Sequence, residues 1–214
     1  MSDYKFDVFI SYPHEEEHET WVHDIFLDDF ARYLRQELGR QPELFVDVRG
    51  GIKSGESWPM KLKEALAHSK ILVPIWSVDY FLSSWCRSEC AVFLYREERL
   101  GYRQSRTDGL IHPVQLYDGK RYPRKAWEIQ WLNCDKYNVF NHPKSFKKSK
   151  TYSKLRGAIK DWVPDVAQSI EGAPVWRQEW LTQGWVEKAV KKWDKRKDFQ
   201  ILTQPWNGPT LAGG

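Results

Sequence analysis

The chain reads as an α/β fold: a central, mostly parallel sheet of five strands with helices on both faces. Three observations predict it. Strand-like and helix-like runs alternate along residues 6–163, the order expected of strand–helix–strand units whose crossovers leave neighbouring strands parallel. Residues 70–77 (KILVPIWS) are almost continuously apolar, as in a strand covered on both faces. With 214 residues, the chain is long enough to bury a substantial core without disulfide or metal staples.

The elements follow in order. Residues 6–12 (FDVFISY) alternate and are rich in β-formers, which predicts a first, central strand. After polar residues 13–20, a helix over 21–38 carries Trp21, Ile25, Phe26, Phe30, Leu34 and Leu38 at helical spacing and stops at Gly39. Residues 44–48 form a second strand, 49–58 (RGGIKSGESW) a Gly- and Ser-rich loop, and 59–68 a helix with Pro59 in its first turn. The apolar run 70–77 is the third strand and 80–99 the third helical region. Residues 109–117 (GLIHPVQLY) read as a fourth strand in which Pro113 requires an edge or a bulge. A short fifth strand is expected over 126–132, and a final helix over 152–163 ending at Pro164.

Composition narrows the class. No apolar stretch reaches the ~18 residues of a membrane span, the first residues lack a signal-peptide layout, and three cysteines leave no disulfide framework. A soluble, cytoplasmic protein is expected. Residues 144–198 hold 14 Lys or Arg against 7 Asp or Glu, although the whole chain carries only +4. Basic residues interspersed on amphipathic helices are a solvated face, so nucleic acid is not the expected partner. The division expected is a domain over 1–165 and a basic, Trp-rich extension over 166–214, helical and then a loose tail. Trp176, Trp180, Trp185 and Trp193 either dock on the domain or present anchors to a partner.

Four local patterns bear on chemistry. Gly50 and Gly55 have phosphate-loop spacing, but Glu56-Ser57 stands where such a loop needs Lys, so a substrate-covering or partner-contacting loop is expected instead. His14-Glu15-Glu16-Glu17-His18 formally matches H-E-x-x-H, yet it lacks burying apolar neighbours and a third ligand. It reads as a solvated, acidic helix start, with no metal expected. Cys86 and Cys90 lie four apart on the third helical region without a CxxC pair, and buried thiols are the reading there. In Ser84-Trp85-Cys86-Arg87-Ser88-Glu89, an indole and a carboxylate four residues apart share one helical face, where a ring and an acid can hold a nucleotide.

FDVFISY (6–12), FVD (45–47) with its Gly-rich loop, ILVPIWS (71–77) and SSWCRSE, whose acid is Glu89, resemble in order and spacing the signature boxes of a Toll/interleukin-1 receptor (TIR) domain over about residues 4–165. The resemblance implies a flavodoxin-like three-layer sandwich. From catalytic members of the family it also implies Glu89 as the essential residue for cleaving the nicotinamide–ribose bond of NAD⁺, with Ser11, Tyr12, Asp47, Arg49 and Trp85 lining the pocket. NAD⁺ is then substrate and no metal is required. Self-association through TIR domains is implied, with an activator, a nucleotide signal or a protein, acting through the extension. The chain departs from the family in a helix that starts late behind HEEEH and in its last 50 residues, features that suit a bacterial defence protein. The alternative is a non-catalytic signalling scaffold.

Overall fold

The computed structural model describes residues 3–46, 60–102, 109–117, 119–139, 143–193 and 195–205. Five parallel strands form the sheet in the order β2-β1-β3-β4-β5. They are β1 (Phe6–Ser11), β2 (Leu44–Val46), β3 (Ser69–Trp76), β4 (Val114–Gln115) and β5 (Leu132–Asn133). This order reverses beside β1, so the chain ends of β1 and β3 meet at a switch point, where open α/β sheets place their ligand sites. Register sets Ser11 against Pro74 and Ile10 against both Val46 and Val73. Val8, Phe9, Ile10, Ile71, Leu72, Val73 and Ile75 are fully buried, as a sheet covered on both faces requires.

The first helical region starts earlier than its apolar pattern predicts. Helix α1 (Glu16–Thr20) runs into a π-helical stretch, Trp21–Phe26, and then α2 (Leu27–Leu38). Within the π turn Trp21, Val22, Ile25 and Phe26 are all buried. Gly39 ends α2 with φ 65°, a left-handed conformation that glycine adopts without a Cβ clash. Helix α3 (Met60–His68) leads into β3.

Four other expectations are corrected. The helical region after β3 is two helices, α4 (Val78–Leu82) and α5 (Ser84–Leu100), each with its own serine cap: Ser77 Oγ accepts from Tyr80 N at 3.0 Å and Ser83 Oγ from Cys86 N at 3.3 Å. The fourth strand is only Val114–Gln115 of the expected 109–117, so Pro113 stands just before it. Its carbonyl accepts from Leu132 N at 2.9 Å, the first residue of β5, so its missing N–H falls before that strand begins. Residues Ala126–Glu128 form a 3₁₀ turn following Pro123, and strand structure starts only at Leu132. After α6 (Pro143–Phe146), α7 (Lys150–Glu171) continues through Pro164. Pro164 is exposed, leaving the carbonyl it cannot serve to water, while Val166 and Ile170 beyond it are buried. Burying two such side chains, about 1.5–3 kcal/mol each, offsets the ~3 kcal/mol cost of proline. Residue 165 therefore lies within a helix.

Trp176, Trp180, Trp185 and Trp193 pack on the chain's own core. Helix α8 (Gln183–Trp193) packs along α5. Trp180, Trp185 and Trp193 are buried, and Trp176 Nε1 donates to Ala67 O at 3.0 Å while its ring stacks on His68. Exposed tryptophan anchors for a partner are thus not among the described residues of this segment.

Candidate active site at the ends of β1 and β3

Glu89 sits in the second turn of α5, and its carboxylate points into the fold rather than to solvent, with 1% of the residue exposed. Ser11, the last residue of β1, donates from Oγ to Glu89 Oε2 at 2.5 Å. The same Oγ lies 3.0 Å from the Tyr80 hydroxyl. A serine has one proton; with that proton on the carboxylate, the Ser11 oxygen accepts from Tyr80. Burial, followed by the neighbouring Cys90, Cys86 and Glu89, drives the Tyr80 pKa well above its ordinary value, so the phenol remains a donor. A chain of hydrogen bonds, Tyr80 to Ser11 to Glu89, results.

Each member is placed by a different element. Ser11 ends β1, Ser77 follows β3 and caps the helix that carries Tyr80, and Ser83 caps α5, which carries Glu89. All three side chains are essentially out of water, which makes their hydrogen bonds stronger and their loss more costly.

The TIR domain family model matches residues 8–142, more than half of the chain. The chain belongs to the TIR domain family. No curated protein matches it. Among solved structures it is similar to the TIR domains of the activated Roq1 resistosome directly recognizing the pathogen effector XopQ, at 19% sequence identity over 88% of this chain and 96% of that one, with a TM-score of 0.36.

Within this TIR domain the expected pocket residues separate. Ser11 meets Glu89 directly. Tyr12, the next residue, points the other way: its hydroxyl is 2.9 Å from His23 Nε2 and its ring packs on His14. Trp85 is half-buried against the core on the face of α5 one turn before Glu89. Asp47, Arg49 and the Gly-rich loop lie outside the described residues. Cys86 and Cys90 are buried, as expected of thiols on this helix.

Tyr80 was not legible as a site residue. No sequence spacing connects it to Ser11, 69 positions earlier; only the pairing of β1 with β3 does. The HEEEH segment also differs from its reading as a solvated helix start. His14 precedes α1, and His18 is 2% exposed.

Proposed function

We propose that this TIR domain is an NAD⁺ nucleosidase that cleaves the nicotinamide–ribose bond, releasing nicotinamide with ADP-ribose or a cyclic isomer. The observation that carries the reading is the Ser11–Glu89 hydrogen bond of 2.5 Å, which holds a buried carboxylate at the switch point of the sheet. Nicotinamide departs neutral, so the leaving group needs no proton, and one carboxylate serves where most glycosidases use two. Glu89 interacts with the ribose as C1′ becomes positive, a contact stronger in the transition state than in the bound substrate. Water attacking C1′ gives ADP-ribose and one proton; an adenine nitrogen attacking the same carbon gives the cyclic product and one proton.

Ser11 keeps Glu89 in one orientation, and Tyr80 keeps Ser11. Trp85 flanks the site as a flat surface for a ring. Because Glu89 is only 1% exposed, ribose reaches it after the wall of the site opens, and we infer that assembly of TIR domains supplies this opening in a cytoplasmic signalling role of the bacterial defence kind. Low activity at dilution and a rise on self-association follow. An activator acting through residues 166–214 belongs to the same reading.

One observation favours a second reading. A carboxylate this enclosed, satisfied by Ser11, also suits a structural role in a non-catalytic signalling scaffold. Chromatography of NAD⁺ products from concentrated wild type beside Glu89→Gln separates the two. Nicotinamide from wild type and at least about 10² less from Glu89→Gln is the expected result. No consumption by wild type when concentrated and crowded rejects catalysis in favour of the scaffold, and equal consumption by both proteins rejects Glu89 as the catalytic group.

A further inference from the structure

The HEEEH segment has a ligand set that its sequence pattern does not reveal. In H-E-x-x-H chemistry the two imidazoles stand one helical turn apart. Here His14 precedes α1, and its Nδ1 lies 3.2 Å from Glu19 Oε1. His18 turns inward instead, with Nδ1 3.2 Å from Glu15 Oε2. Asp79, in the first turn of α4, completes a group with Glu15 and His18 whose ligand atoms all lie within 4.8 Å of one another.

We propose that Glu15, His18 and Asp79 form a binding site for a divalent transition-metal cation at the carboxyl-terminal edge of the sheet. A cation about 2.1 Å from each of three ligands keeps those ligands no more than roughly 4.2 Å apart. The 3.2 Å between His18 and Glu15 already meets this limit. The widest separation closes with a shift of about half an ångström, which the exposed Glu15 and Asp79 side chains can supply by rotation. One imidazole with two carboxylates suits Zn²⁺ or Mn²⁺ rather than Mg²⁺ or Ca²⁺, which favour all-oxygen sets; water completes the coordination.

The placement of charge agrees with the geometry. Glu15, from the segment after β1, and Asp79, from α4, bring two carboxylates to the buried His18 ring. Among the described residues, no Lys or Arg forms an ion pair with Glu15 or Asp79. A cation would offset this repulsion and fasten the segment after β1 to α4, whose Tyr80 holds Ser11.

The site does not depend on NAD⁺ cleavage, so its test uses metal alone. The full chain, stripped with chelator, is titrated calorimetrically near neutral pH with zinc chloride and with manganese chloride. One saturable equivalent is expected for wild type. Asp79→Asn and Glu15→Gln, both at exposed positions, should each bind about tenfold more weakly or worse. His14→Gln should bind as wild type does. Zn²⁺ should raise the melting temperature of wild type and His14→Gln but not of Asp79→Asn, with circular dichroism confirming that each metal-free variant is folded. Absence of saturable binding by wild type at millimolar metal overturns the proposal. So do unchanged affinities in both carboxylate variants, or a loss in His14→Gln equal to theirs.

Discussion

Trp180 lies across the guanidinium of Arg96, with Cζ 4.0 Å from the ring centroid. Phe93 packs on the same guanidinium at 4.6 Å. Arg96 is fully buried and donates to the carbonyls of Ser69 and Leu66 at 2.8 and 3.0 Å. Burial lowers its pKa to about 10, so it stays charged at neutral pH, and the aromatic faces are part of what makes its burial tolerable.

The C-terminal segment therefore contributes to the stability of the α/β body. Trp180→Ala should lower the unfolding free energy by about 3–5 kcal/mol, through lost packing and an uncovered cation. Urea denaturation measures it. A change within about 0.5 kcal/mol, the range of an ordinary surface substitution, would show that residues around Trp180 merely rest on the domain.

Ser11→Ala removes the hydrogen bond that orients Glu89. Stability should fall by about 1.5–3 kcal/mol, as for bonds to charged groups. In the enzyme reading, kcat should drop by up to about 10²-fold with little change in KM. Tyr80→Phe acts one step further away and should cost about 1 kcal/mol with a smaller fall in kcat. A larger kinetic effect from Tyr80→Phe than from Ser11→Ala would contradict this order.

Asp7 governs part of the acid limb of stability. Burial opposes its ionisation, but Arg40, Lys70 and the Glu43 N–H outweigh that and hold its pKa at about 2. The Arg40 contact is bidentate, at 2.6 and 2.7 Å. Because the folded pKa is depressed, the stabilisation is complete above the unfolded value near 3.8 and is lost as pH falls toward about 2. It amounts to roughly 2 kcal/mol. Stability curves of Asp7→Asn should lack this loss below pH ~4. A wild-type slope in the variant would assign the acid limb to other groups.

Pro164→Ala should stabilise the protein, by roughly 1–3 kcal/mol. It restores a backbone donor inside α7 at an exposed position, where nothing packed is lost. Thermal unfolding reads the sign directly, and a lower melting temperature would mean that proline's restriction of the unfolded chain dominates.

Several features were present in the sequence because they depend on neighbours along the chain. The alternation of strands and helices, the twice-covered run of β3, the glycine stop after Leu38 and the placement of Trp85 and Glu89 on one helix follow from local periodicity, spacing and conformational preference. The order of the signature boxes also identified the family. What local pattern could not decide was where competing tendencies would balance. Pro164 locally ends a helix, yet burial of Val166 and Ile170 carries α7 past it. Ser83 splits a helical region whose apolar pattern looked continuous. The long-range partnerships required the tertiary structure: Tyr80 with Ser11 and Glu89, Asp79 with Glu15 and His18, and Trp180 with Arg96. Hydrogen bonding, charge contact and cation–π contact act over a few ångströms, and only the crossover from β1 to β3 and the return of α8 onto α5 bring these residues within that range.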